Sequence, residues 1–155
     1  MSHCRTDERI LYSCGFARNQ GSVCLKAGAI HYRFGPPGRP EIDLASNEDW
    51  SNIHIGNVVG QGGGHQSHVR FTSGRHHYVV FEGQNGSLAD VPGRRYSGIF
   101  VAAGEDGGEQ LANLECSGRA VVPDSFAALM NHAPSAIRDR ETLWEQQNGP
   151  FDAWY

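Results

Sequence analysis

His68-Val69-Arg70-Phe71-Thr72-Ser73-Gly74-Arg75-His76-His77-Tyr78-Val79-Val80-Phe81 carries the clearest structural signal in the chain. Two runs rich in β-branched and aromatic residues flank a Ser-Gly pair, the composition of an antiparallel hairpin. With Ser73-Gly74 as a two-residue turn, Thr72 is expected to pair with Arg75 and Phe71 with His76.

The same grammar extends on both sides of this hairpin. Ile10, Tyr12, Cys14 and Phe16 alternate with Leu11, Ser13 and Gly15, and Ile30, Tyr32 and Phe34 alternate with Ala29, His31 and Arg33. A period of two means strands with one buried face. Gly35-Pro36-Pro37-Gly38-Arg39-Pro40 is a rigid turn because each proline fixes φ and removes a donor, and Glu41 to Leu44 resumes the alternation. Ile99, Val101 and Ala103 make a further strand, Gly104 to Gly108 a turn, and Leu111 to Cys116 a last strand. About eight strands over residues 10–117 predict a mainly β fold, an antiparallel β-sandwich or a small β-barrel.

After Gly118 the spacing changes. Phe126, Leu129, Met130, Ala133 and Ile137 recur at steps of three and four, and Trp144 continues the stripe. Pro134 interrupts it, so either two short helices, roughly Asp124 to His132 and Ser135 to Gln147, or one kinked helix is expected, ended by Asn148-Gly149-Pro150. The aromatic Phe151-Asp152-Ala153-Trp154-Tyr155 is read as docking on the body. The chain thus reads as one domain over 1–155: an arm (1–9), a β core (10–117) and a short helical tail (118–155) packed on it.

Four cysteines, Cys4, Cys14, Cys24 and Cys116, lie in no Cys-x-x-Cys spacing, which removes zinc ribbons and dithiol redox motifs and leaves cross-links. A hairpin centred on Asn19 sets Cys14 opposite Cys24 and leaves Cys4 for Cys116; Cys14 with Cys116 is the rival pairing. Oxidised cysteines imply a periplasmic or secreted protein, and because Met1 leads straight into polar sequence the chain would then be a mature form. Reduced cysteines would place it in the cytoplasm.

The 155 residues include 20 glycines and 7 prolines, with 19% charged residues and a net charge of −4, a balance without the basic footprint of a nucleic-acid binder. No run reaches the length of a membrane-spanning helix. No cofactor motif is present: Gly60-Gln61-Gly62-Gly63-Gly64 lacks the Lys-Ser or Lys-Thr of a phosphate loop, and no Gly-x-Ser-x-Gly elbow occurs. Glu41 and Asp43 share a strand face expected to be exposed. His65, His68 and His77 are the metal-ligating candidates, with His68 and His77 two rungs apart in the expected register; His76 and His77 point to opposite faces.

Aromatic residues and arginines on loops are what interaction surfaces are built from. Three segments carry them: Asn47 to Asn52 with Trp50 and Asn52, the hairpin with Arg70, Arg75 and His77, and Pro92 to Tyr96 with Arg94, Arg95 and Tyr96. The opening Tyr12-Ser13-Cys14, the string of short strands and the closing Leu114-Glu115-Cys116 resemble small periplasmic bacterial β proteins, among them the C-type lysozyme inhibitors. Tyr32-Arg33-Phe34-Gly35 is similar to a turn in uncharacterised secreted proteobacterial proteins. The resemblance spans about Ile10 to Gly118 and implies a compact, disulfide-linked β domain that binds a protein or envelope glycan. The inhibitors' serine-glycine loop is matched only in part, by Ser97-Gly98 after Arg94-Arg95. The expected role is a non-enzymatic exported binding protein, with an inhibitor or immunity protein as its sharpest form. The alternatives are a small hydrolase or metal-dependent enzyme built on the His65, His68 and His77 region, and an assembly subunit using the aromatic C-terminus.

Overall fold

The computed structural model describes residues 1–124, 126–134 and 154–155. Strands β1 (Arg9–Phe16), β2 (Asn19–Lys26), β3 (Ala29–Gly35) and β4 (Ile42–Ala45) form one antiparallel sheet in chain order. Strands β5 (Ile53–Val59), β6 (His65–Ser73), β7 (His76–Gln84), β8 (Arg95–Ala103) and β9 (Glu109–Glu115) form a second. The two sheets do not close into a barrel; the arrangement fits a sandwich.

The alternation read from sequence builds the core. Tyr12, Val23 and Tyr32 form one cross-strand row of the four-stranded sheet, and Ile55, Val69, Val80 and Ile99 one of the five-stranded sheet; all belong to a single buried cluster. Tyr32 bridges the layers, its ring centroid 5.7 Å from that of Phe71 and 5.4 Å from that of Tyr78. Each such side chain removed from water contributes roughly 1.5–3 kcal/mol, so these inward rows hold the sheets together.

The central hairpin forms, but its turn is Gly74-Arg75, pairing Ser73 with His76 and Thr72 with His77. Only Gly74 of the two central residues has positive φ (59°), the pattern of a type II′ turn, which wants glycine first rather than second. In the same way the first hairpin turns at Ala17-Arg18, so Cys14 faces Gly21 and Cys24 faces Ile10. A bulge at Leu11 separates the two cysteines' registers further, and they lie on opposite faces of the sheet.

The expected Cys14–Cys24 and Cys4–Cys116 bonds are therefore replaced by Cys4–Cys24 and Cys14–Cys116, with Cα separations of 5.4 and 5.9 Å. Inward-facing Cys14 reaches the end of β9, which is the rival pairing. Outward-facing Cys24 reaches the N-terminal arm, which crosses the outer face of the four-stranded sheet. There the His3 amide donates to Ser22 Oγ and the Arg33 guanidinium to the His3 carbonyl. Arg33, at a position the alternation sends to solvent, is thereby buried.

After β9 the chain crosses between sheets. Ser117 N donates to the Gly15 carbonyl, and Ser13 and Val121 exchange both backbone hydrogen bonds. A 3-10 turn follows over Phe126–His132, inside the first expected helix. Phe126, Leu129 and Ala133 are buried as the stripe required, and the Phe126 ring lies 5.9 Å from Tyr12. The step from Phe126 to Leu129 suits three residues per turn. The second expected helix, Ser135 to Gln147, lies outside the described residues. No helix among the described residues is long and apolar enough to cross a membrane.

Candidate functional site

The inner face of the five-stranded sheet changes character along its length. In β7 the inward positions read Tyr78, Val80, Glu82 and Gln84, two apolar rungs and then two polar ones. The neighbours follow suit. Asn57, Ser67, Glu82 and Ser97 make one polar row, and Val59, His65, Gln84 and Arg95 make the last. The crossover 118–124 stands over these two rows, and between them lies a cleft of about 810 Å³. Glu82, His65, Gln84 and Arg95 line it from the sheet, and Arg119 and Val121 line it from the crossover.

Beside the cleft, the wholly buried Tyr12 shares a hydrogen bond with Ser97 (3.2 Å between hydroxyl oxygens). Burial pushes the Tyr12 phenol up to about 12, against the Ser97 hydrogen bond, and the Glu82 charge adds to the rise. Burial also raises the Glu82 carboxyl, opposed by His65 and Arg95. Among the described residues no side-chain hydrogen bond or ion pair engages the Glu82 carboxyl or the Arg95 and Arg119 guanidiniums. Two exposed guanidiniums and a half-buried carboxyl thus face one cavity, joined by no direct hydrogen bond. His65 Nδ1 is engaged with the Gly63 carbonyl at 3.3 Å.

The same end of the sheet carries exposed apolar side chains. Val59, Leu88, Val91 and Trp154 are 50 to 73% exposed, and Val121 lies on the cleft wall. The glycine run forms a turn here rather than a phosphate cradle: Gly62 has φ of 71°, and its carbonyl accepts from Ser87 N. The connection after β7 is knitted to itself by Asn85 N to the Arg94 carbonyl and Gly93 N to the Asn85 carbonyl.

The three segments chosen from sequence do not meet. Trp50 is 3% exposed, and its indole Nε1 donates to the Gly28 carbonyl at 3.0 Å, so this aromatic belongs to the core. Asn52 ties its own loop together, accepting from Asn47 N and donating to the Ala45 carbonyl. His77 is buried between Thr72 Oγ1 and the Gly104 carbonyl, and Arg75 sits in the adjoining turn. These lie at the Thr72 end of the sheet, whereas Arg94, Arg95 and Tyr96 lie at the cleft end, the length of β8 away, or about 27 Å at strand rise. Arg94 pairs with Glu115, and Tyr96 turns its ring to the outer face, where its hydroxyl donates to Gln66 Oε1 at 3.2 Å. Arg70 occupies the outer face beside His54 and Val79.

The histidine trio also separates. The turn at Gly74-Arg75 sets His77 opposite Thr72, four residues from His68 instead of two, and His65 is on the inner face. His68 lies on the outer face beneath the C-terminus, its ring 5.4 Å from Tyr155, which also stacks on Phe81 at 5.9 Å. Burial drives the His68 imidazole down to about 3, with His54 and Arg70 adding to the fall. Among the described residues the one convergent set of ligand-type atoms is Cys4, Glu8 and Cys24, of which the two sulfurs are bonded to each other. Asp43 pairs with Arg33 at 3.0 Å, and Glu41 precedes β4.

Glu82 and Gln84 lie beyond Phe81, where the apolar alternation ends, although the strand itself runs on to Gln84. A carboxyl at an inward position of an otherwise apolar register was the available signal. In comparisons with known proteins, no family model matches the chain, and no curated protein or solved structure matches it.

Proposed function

We propose that this is a non-enzymatic exported binding protein that engages a protein partner through the cleft end of its five-stranded sheet, with inhibition or immunity as its sharpest form. The observation that carries this reading is the gathering of Val59, Leu88, Val91 and Trp154, exposed, at the end that also bears Arg94, Arg95 and Arg119. Aliphatic and aromatic area rimmed by arginine is the composition of protein interfaces, whereas a glycan surface asks for a polar platform. The two disulfides support an oxidising compartment, and hence a periplasmic or secreted setting.

The test is surface plasmon resonance against purified wall hydrolases, a C-type lysozyme among them, alongside co-sedimentation with purified peptidoglycan. Saturable binding to a hydrolase, weakened about tenfold or more by Leu88→Asp with Val91→Asp, is the expected result. Binding to peptidoglycan alone, indifferent to those substitutions, would replace the protein partner with a glycan. A flat response on both surfaces removes the reading.

A second reading, a small hydrolase, keeps only Glu82, whose raised carboxyl beside His65 has the character of a general acid. Turnover of a chromogenic glycoside or ester, lost in Glu82→Gln, would favour it over binding.

A further inference from the structure

We infer that the cleft between the polar rows and the crossover is a site for a small zwitterion, an amino acid or the ends of a short peptide, held with its ammonium on Glu82 and its carboxylate between Arg95 and Arg119. The inference goes beyond the partner surface above, since the apolar tip can fail to bind while the cleft retains its ligand.

The cleft offers the Glu82 carboxyl on its floor, with His65 and Arg95 acting on it through space, and a second guanidinium, Arg119, at its rim; Asp124, which also lines it, is held by Arg9, and among the described residues no side-chain hydrogen bond or ion pair engages the Glu82 carboxyl or the Arg95 and Arg119 guanidiniums. A simple anion would satisfy the arginines but meet Glu82, and a simple cation would satisfy Glu82 but meet the arginines. A ligand bearing both signs meets each group with its opposite charge, through charge-assisted hydrogen bonds that are the stronger kind.

Glu82 sits on an inward rung flanked by Ser67 and Ser97, where its neighbours are fixed by the strand register rather than by mobile loops. Gln84 and Arg95 are paired on the next rung, which places a guanidinium one rung from the carboxyl, within the span of a backbone unit. A neutral sugar fits less well. The Tyr96 ring, which could have stacked on one, lies on the outer face: a Cβ built on Gly83 would come 2.6 Å from its hydroxyl.

The cavity of about 810 Å³ has room for more than a single amino acid, so short peptides are the better probes. Isothermal titration with Ala-Ala, N-acetyl-Ala-Ala and Ala-Ala-amide isolates each charge. The free dipeptide should bind, and acetylation or amidation should each weaken it about tenfold or more. Glu82→Gln should remove the sensitivity to acetylation alone, and Arg95→Gln with Arg119→Gln the sensitivity to amidation alone. The three-probe comparison on the unaltered protein needs no variant to fold. Equal binding of all three probes, or none in the millimolar range, overturns the inference. Tip variants at Leu88 and Val91 should leave these titrations unchanged, which separates this failure from that of the partner surface.

Discussion

Arg33 and Glu8 meet in a two-pronged ion pair, with Nη1 and Nη2 at 2.6 and 3.0 Å from the two carboxylate oxygens and both side chains 2% exposed. One residue comes from the middle of β3 and the other from the arm, so the pair fastens the arm across the outer face of the sheet. Arg33 also donates to Asp43 and to the His3 carbonyl, which leaves few of its donors unused.

Removing one member of this pair strands the other charge. Glu8→Gln is expected to cost about 3 kcal/mol or more in urea unfolding, since breaking a buried pair is far more damaging than never having built it. The Arg33 hydrogen bonds hold the Glu8 carboxyl down to about 2, from 4.5. A carboxyl lowered in the fold contributes fully above pH 4.5 and loses that contribution as pH falls toward 2. Glu8→Gln should therefore flatten the stability profile in that window.

His68 adds a second acid limb at higher pH. Its imidazole protonates near 6.5 when unfolded and only near 3 when folded, so stability should begin to fall as pH drops below 6.5 and level off near 3. His68→Phe, which keeps an aromatic ring against Tyr155 and Phe81, should remove this limb while the Glu8 limb stays. Deleting Tyr155 should open the imidazole to water and raise its titration midpoint, read by NMR.

The two disulfides should be separable. Non-reducing peptide mapping is expected to recover Cys4 linked to Cys24 and Cys14 linked to Cys116. Their spans of 20 and 102 residues correspond to about 3 and 5 kcal/mol in the chain-entropy account. The Cys14→Ser, Cys116→Ser double variant should thus lose more stability than the Cys4→Ser, Cys24→Ser variant.

Trp50 should act on stability alone. Truncation to alanine empties a core position at a cost of about 3–5 kcal/mol, while Trp50→Phe loses chiefly the bond to Gly28, about 1 kcal/mol. Binding by the folded Trp50→Phe variant should match the unaltered protein.

Glu82→Gln is expected to raise stability above the carboxyl's titration, on the order of 1 kcal/mol. Glu82 is raised by burial, so its ionised form opposes folding once pH exceeds its folded value, and the gain should vanish in acid where the carboxyl is protonated. A stabilising change at a cleft carboxyl is the usual mark of a residue kept for binding rather than for folding.

Most of the strands are legible in the order of residues, because a period of two writes its buried face there: Tyr12, Cys14 and Phe16, or Ile30, Tyr32 and Phe34, can turn inward only together. The apolar positions Phe126, Leu129 and Ala133 are legible there too. β5 escaped notice because Gly56 and Asn57 interrupt its pattern after Ile55. Register, and what stands over each face, come from the folded chain alone. Gly74 with positive φ moved His77 away from His68, and the turn at Ala17-Arg18 sent Cys14 to Cys116 and Cys24 to Cys4. The arm buried Arg33, and the crossover after Cys116 enclosed Glu82 with Arg95 and Arg119. Alternation is a local property of steric geometry, whereas register depends on turn conformation and a cleft depends on segments distant in the chain, neither of which leaves a mark in the order of residues.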